Sequence, residues 1–267
     1  MPAMPNVHHH PAIMLLVAVF GLAVGSFLNV VIYRLPKKKS LLRPCSSCPS
    51  CGAPIPWYLN IPVLSYVVLR GKCHRCGAGI SVRYPLVEAA TAVLFLLFFL
   101  RYGLTVTTVG FWFLSAALVA VFFIDLEHGL IPDLITLPGT AAGLALAAIS
   151  PHLSVPDSIL GALVGGGSFL ALAWLGQALF KKDSMGGGDI KLAAMLGAFL
   201  GPLRVLLIFV CSAAVGLLVS SAVLLLSPRF RRERVLPFGP FLVAATLLVA
   251  FFGQTIIDWY RSRFLVP

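Results

Sequence analysis

The sequence predicts an all-α polytopic membrane protein of about eight transmembrane helices, with one cysteine-bearing loop between the first two. The first observation is composition, since 59% of the 267 residues are hydrophobic and only 11% are charged. The mean hydropathy of +0.98 is typical of a chain surrounded mostly by lipid. The second observation is the length of the apolar runs, because a ~30 Å hydrocarbon core requires roughly 20 helical residues.

Eight apolar runs follow one another along the chain, separated by polar, glycine-bearing or proline-bearing connections. They lie at residues 11–33, 85–101, 107–125, 133–150, 157–180, 189–201, 203–227 and 236–257. The sixth run is short, since its apolar part covers only about 17 Å at helical rise. We therefore expect this helix either to pack deep inside the bundle or to begin below the membrane surface.

The distribution of Lys and Arg predicts the orientation of the chain. Residues 34–83 hold nine of the 20 basic side chains, residues 181–191 hold three and residues 229–234 hold four, which leaves four for the opposite side. This asymmetry places the large loop in the cytoplasm and both termini outside. The net charge of +11 then belongs to loops that would bind anionic membrane lipids, so we expect no nucleic-acid binding.

The large loop carries a repeated cysteine pattern. Cys48-Pro-Ser-Cys51-Gly-Ala-Pro-Ile and Cys73-His-Arg-Cys76-Gly-Ala-Gly-Ile share it at an offset of 25 residues. Two such knuckles form a four-thiolate site, for which tetrahedral zinc is the usual occupant, and four protein ligands make the zinc structural. Cys45 offers a competing register, and reduced thiols or an iron–sulfur centre are the alternatives to this zinc-knuckle loop.

Two acids stand at the edges of apolar runs. Only nine acidic residues occur in the chain, and carboxylates at membrane depth are costly unless they are used. Asp125 closes the third run and Asp189 opens the sixth, and the predicted topology places both at the cytoplasmic face. Two facing carboxylates can act on one water as base and acid, as in aspartic proteolysis. Taken singly, Asp189 could instead be a helix N-cap and Asp125 an interfacial charge.

Residues beside these acids have supporting roles in this interpretation. Gly186, Gly187 and Gly188 lack a Cβ, so the chain before Asp189 can let an extended substrate come close. A flexible linker is the alternative for these glycines. Glu127 would point away from Asp125 on a continuing helix, so we expect it to contact substrate or to tune the local field.

Further segments carry a resemblance to a known family. They are Gly25-Ser-Phe-Leu-Asn-Val-Val-Ile-Tyr-Arg-Leu-Pro36, Asn60-Ile-Pro-Val-Leu-Ser65, Arg83-Tyr-Pro-Leu-Val-Glu88, Ile124-Asp-Leu-Glu-His-Gly-Leu-Ile-Pro-Asp133 and Gly186-Gly-Gly-Asp-Ile-Lys-Leu192. Together with the two cysteine knuckles, they make nearly the whole chain resemble the type 4 prepilin peptidases, which are membrane aspartic proteases of the Gly-x-Gly-Asp type.

The resemblance implies that Asp125 and Asp189 cleave the basic leader of type 4 prepilins or pseudopilins at the cytoplasmic face of a bacterial inner membrane. The predicted supporting residues for the substrate or the loop are Gly186, Gly187, Gly188, Glu127 and Lys191. The resemblance also implies N-methylation of the new N-terminus with S-adenosylmethionine, for which the chain has no glycine-rich nucleotide-binding signature. The expected regions are a first transmembrane helix at 1–34, a cytoplasmic cysteine loop at 35–84 and a transmembrane peptidase domain at 85–267.

Two alternatives come from other functional classes. A polytopic transporter or a binding scaffold could also use intramembrane carboxylates, but a transporter predicts inverted repeats and acids near the bilayer midplane. A methyltransferase without protease activity is the second alternative, because the cysteine loop could serve that chemistry alone.

Overall fold

The computed structural model describes residues 10–43, 45–181, 186–226 and 237–264. Within these ranges almost everything outside the cysteine loop is helical, and β-structure is limited to two isolated bridges. The predicted all-α fold is therefore confirmed. The basic stretch at 229–234 and part of the one at 181–191, both used to predict the orientation, lie outside the described residues.

Nine α-helices occur in the described ranges, and a 3-10 turn lies at Trp57–Leu59. The helices are α1 (Pro11–Arg34), α2 (Leu64–Val68), α3 (Arg83–Tyr102), α4 (Val106–His128), α5 (Asp133–Ile149), α6 (Val155–Phe180), α7 (Gly187–Leu200), α8 (Pro202–Leu226) and α9 (Gly239–Phe264). Each predicted apolar run forms one helix, and α2 is a short addition within the loop. The largest difference from the expected ends is at α9, which continues beyond residue 257.

Six helices, namely α1, α3, α4, α6, α8 and α9, are long and apolar enough to cross a membrane. The chain is therefore a multi-pass membrane protein. Helices α5 and α7 are shorter, with 17 and 14 residues. The second half of α7 is buried without interruption from 195 to 200, which agrees with the expectation that the short sixth run packs deep inside the bundle.

Contacts between helices divide the chain into two compact units, residues 1–120 and 121–267. In the first unit, α1 packs along α3. The approach is close at Gly25, where a Cβ would lie 2.6 Å from the Cα of Glu88. The three regions expected from the sequence, at 1–34, 35–84 and 85–267, have different boundaries from these units, and they stay a prediction.

Helix α7 is the central helix of the second unit and packs against α5, α6, α8 and α9. Helix α6 approaches it so closely at Gly161 that a Cβ there would collide with the backbone of Gly197. One turn away, the buried Ser158 hydroxyl donates a 2.6 Å hydrogen bond to the carbonyl of Ala198. Packing against several helices holds α7 in place, and this fixes the position of Asp189 in its first turn.

Candidate active site and cysteine cluster

Asp125 lies in the last turn of α4. The helix continues beyond it to His128, and Gly129 ends it with a φ of +62° while donating its amide to the Asp125 carbonyl. The Asp125 side chain is buried, with 5% exposure. Its carboxylate accepts a hydrogen bond from the backbone of Gly239 at the start of α9. A Cβ at Gly239 would collide with the Asp125 carboxylate, so the glycine leaves the space that the acid fills.

Asp189 lies in the first turn of α7, but it is not the N-cap. The helix begins at Gly187, the N-cap is Gly186, and Asp189 is the third helical residue. The N-cap interpretation of Asp189 is therefore wrong, because the helix starts earlier than the apolar run does. The Asp189 carboxylate accepts a hydrogen bond from the Gly186 backbone. Its Oδ1 is buried and has no hydrogen-bond partner among the described residues.

Ile131 links the segments that carry the two acids. It is buried, and a Cβ at Gly188, next to Asp189, would lie 2.8 Å from the Ile131 Cβ. A Cβ at Gly239, which faces Asp125, would lie 3.3 Å from the Ile131 Cδ1. The two acids are also close enough for direct electrostatic interaction. A pair of neighbouring carboxylates can hold one proton between them and act on a single water.

The expected supporting residues have different surroundings. A Cβ at Gly187 would meet nothing within 4 Å, and Glu127 is exposed while Asp125 is buried. Lys191 forms a 2.6 Å salt bridge with Asp133, which joins the second turn of α7 to the first residue of α5. Both side chains of this pair are about half exposed, so the salt bridge contributes little to stability.

Three residues at this site could not be identified from the sequence. Ile131 and Asp133 lie in the segment from 124 to 133 that carries the family resemblance, but their contacts with the start of α7 could not be deduced from spacing. Gly239 had no local signal at all, because its significance comes from contact with Asp125.

The four predicted cysteines come together in the first unit. The Sγ atoms of Cys48, Cys51, Cys73 and Cys76 all lie within 4.8 Å of one another, and Cys45 is not among them. The Cys48 and Cys76 sulfurs are 3.9 Å apart, and tetrahedral zinc with ~2.3 Å bonds requires sulfurs about 3.8 Å apart. The donor set and its spacing therefore fit a metal ion.

The two knuckles repeat one backbone geometry. The Cys48 amide donates to the Ala53 carbonyl, and the Gly52 amide donates back to the Cys48 carbonyl, both at 2.9 Å. Cys73 makes the same two bonds in its own knuckle. The glycine after each second cysteine has a φ close to +70°, which only glycine adopts readily. The Cys-x-x-Cys-Gly pattern thus specifies the turn that gathers the sulfurs.

The thiols of this cluster differ in acidity. The backbone amide of Cys51 lowers the pKa of the Cys48 thiol to about 6, and the amide of Cys76 lowers the pKa of Cys73. At Cys76 the amide of Ala78 favours the thiolate, but hydrogen bonding with the neighbouring thiols, Cys51 first, raises the pKa to about 11. Crowded thiolates repel one another, and a divalent cation would hold all four deprotonated.

Comparison with known proteins gives a consistent result. The family model "Bacterial Peptidase A24 N-terminal domain" matches residues 19–102, and "Type IV leader peptidase family" matches residues 112–221. Relatives named prepilin leader peptidase/N-methyltransferase match most of the chain. The Myxococcus xanthus protein is 43% identical, over 93% of this chain and 75% of the relative. The Aeromonas hydrophila protein is 36% identical over 94% of each. No solved structure matches.

Proposed function

This chain belongs to the type IV leader peptidase family, and from that membership we propose that it is a membrane-embedded aspartic endopeptidase for type 4 prepilins or pseudopilins. Asp125 and Asp189 are the proposed catalytic residues. The observation that carries the proposal is the arrangement of these two acids, one buried and the other with a buried, unpartnered oxygen. Family membership does not favour the alternative of a transporter or a binding scaffold.

The proposed chemistry follows from what two adjacent carboxylates can do. The ionised member accepts a proton from a bound water, and the water oxygen attacks the carbonyl carbon of the scissile bond. The protonated member donates its proton to the carbonyl oxygen. Collapse of the tetrahedral intermediate then breaks the carbon–nitrogen bond, with a proton passing to the leaving amine. One acid serves as the base while the other serves as the acid, so both are required in every cycle.

The proposed site of action is the cytoplasmic face of a bacterial inner membrane. Lys and Arg near a membrane-spanning helix favour the cytoplasmic side, so a leader rich in these residues stays in the cytoplasm. The apolar helix of the pilin lies in the bilayer, so the scissile bond lies at the interface. Acids at the ends of α4 and α7 would meet this bond without drawing it through lipid. Anionic lipids beside the basic loops are the proposed membrane partners.

The cysteine cluster is the proposed site of one structural zinc ion. Its four thiolates would complete a tetrahedral shell, so the metal would order the loop and bind no substrate. The names of the relatives support a second proposed activity, N-methylation of the new pilin N-terminus with S-adenosylmethionine. When bound, that cofactor would supply an electrophilic methyl group.

Cleavage of a purified substrate tests the proposal. The detergent-purified protein, incubated with a membrane-embedded prepilin, should produce a mass loss equal to the leader. Asp125→Asn and Asp189→Asn should each remove cleavage almost completely, because an amide keeps the shape but cannot accept a proton from water, and groups that act as a unit fail together. Circular dichroism should show both variants folded. Cleavage of more than a few per cent in either variant would contradict the dyad.

A further inference from the structure

Three sequence segments that neither the acid pair nor the cysteines use meet in the first unit. They are the segment from 25 to 36 at the end of α1 and just beyond it, the segment from 60 to 65 in the loop, and the segment from 83 to 88 in α3. Their meeting point is Glu88 of α3. Gly25 packs on the Glu88 backbone, and the loop residue Val63 donates its amide to the Glu88 carboxylate at 2.7 Å.

Glu88 is a buried carboxylate in the first half of α3. Its exposure is 7%, and Ser26 is its second hydrogen-bonding neighbour. Within the part of the chain that the structure describes, no basic side chain pairs with it. An ionisable group at membrane depth is costly unless it has a partner or a function, and two neutral donors leave acceptor capacity on a carboxylate.

Asn29 provides a second unsatisfied acceptor nearby. Its side-chain amide donates to the carbonyl of Tyr84, one turn before Glu88 on α3. Its Oδ1 is buried and has no partner among the described residues, and the residue is only 3% exposed. Asn29 and Glu88 each lie five residues from the loop end of their helices, which is about 8 Å along the helix axis.

The loop contact over Glu88 is strained. Val63 has a φ of +60°, which is a rare value for a β-branched residue. The hydrogen bond that covers the Glu88 carboxylate is therefore made by a residue in an unfavourable backbone conformation.

The missing partner of this cluster is a positively charged group with several N–H donors. A carboxylate attracts a cation, and the Asn29 oxygen requires a hydrogen-bond donor. A sulfonium is a cation without N–H groups, so it would leave the Asn29 oxygen unsatisfied. A primary ammonium is a cation with three N–H donors, so it carries the positive charge that Glu88 attracts and the donor that the Asn29 oxygen requires.

We propose that Glu88 and Asn29 form the binding site for a primary ammonium group in the methylation reaction. This inference rests on the proposed methyltransferase activity. Two participants carry such a group, namely the new N-terminus of the cleaved pilin and the amino-acid end of S-adenosylmethionine. The chemistry of recognition is the same for both, so experiment must distinguish the source.

Glu88→Gln is the decisive variant, since glutamine can still accept the Val63 amide but has no charge. One arm measures the Kd of S-adenosylhomocysteine, which keeps the amino-acid end, by calorimetry on the purified full-length protein. The other arm measures the KM of a pre-cleaved pilin for methylation. We expect Glu88→Gln and Asn29→Leu to weaken one of these constants at least tenfold and to leave the other and leader cleavage unchanged. Thr91→Val, at another fully buried polar residue of α3, is the matched control and should change neither.

A weaker Kd identifies the donor as the source of the ammonium, and a higher KM identifies the pilin. An unchanged Kd and an unchanged KM in Glu88→Gln would overturn the proposal. If Glu88→Ala also lowered the melting temperature, the role of Glu88 would be only to hold the loop through the Val63 amide. A wild-type protein that neither binds S-adenosylhomocysteine nor methylates would overturn this inference together with the proposed methylation. Leader cleavage, measured in the same samples, would still report separately on the peptidase.

Discussion

Replacement of Gly239 by alanine tests whether the space beside Asp125 controls the reaction. A Cβ at Gly239 would collide with one carboxylate oxygen of Asp125 and lie 3.1 Å from its Cγ. Favourable carbon contacts begin at about 3.5 Å, and the colliding oxygen is closer to the new Cβ than the Cγ is, so the carboxylate must move by on the order of 1 Å. A displacement of about 1 Å can lower a catalytic rate by about 10²-fold, and we expect a loss of that size in leader cleavage.

The same substitution should not unfold the protein. Gly239 is the first residue of α9, and alanine in place of glycine within a helix ordinarily stabilises it by about 0.5–1 kcal/mol. Gly167→Ala is the matched control, because Gly167 lies inside α6 and a Cβ there would meet nothing within 4 Å. The measurements are the initial rate of prepilin cleavage by mass spectrometry and the melting temperature by circular dichroism.

Two results would contradict the expected loss of cleavage in Gly239→Ala. If Gly239→Ala cleaved within about threefold of the wild-type rate, the position of Asp125 beside α9 would not limit the reaction. If Gly167→Ala lost activity equally, the effect would belong to glycine replacement in general. A large fall in the melting temperature of Gly239→Ala would instead show that the new methyl group disrupts packing around Ile131.

Three further predictions concern the neighbouring glycines, the metal and the topology. Gly188→Ala should lower the cleavage rate at least tenfold and Gly187→Ala less than threefold, because only a Cβ at Gly188 would collide with Ile131. Equal rates in the two variants would contradict the proposal that Ile131 links the segments that carry the two acids. Elemental analysis should find about one zinc per chain. The zinc should be lost when any of the four clustered cysteines is replaced by serine and kept in Cys45→Ser. Loss of zinc in Cys45→Ser would show that Cys45 is a ligand and that the predicted set of four cysteines is wrong. In a background without loop cysteines, a cysteine replacing Glu127 should react with a membrane-impermeant maleimide only from the cytoplasmic side. A cysteine replacing Ser154 should react only from the outside. Labelling of both positions from the same side would overturn the predicted topology.

Much of this architecture could be predicted because its signals are local. An apolar run is recognisable from its own residues, and helical hydrogen bonds close within four residues, so hydropathy predicted each apolar helix. The cysteine knuckles were predictable for the same reason, since the ligands and the turn glycine lie within five consecutive residues. Asp125 and Asp189 were candidates because a carboxylate is conspicuous beside an apolar run.

Sequence alone determined that this chain is a helical, multi-pass membrane protein with two notable acids and a four-cysteine loop. Only the tertiary structure decided that Gly239 faces Asp125, that Ile131 joins the two acid-bearing segments, and that Val63 covers Glu88. These contacts join residues far apart in the chain, and helix packing selects them by the shapes of whole surfaces. A pattern read along one segment contains no information about which distant surface will lie against it.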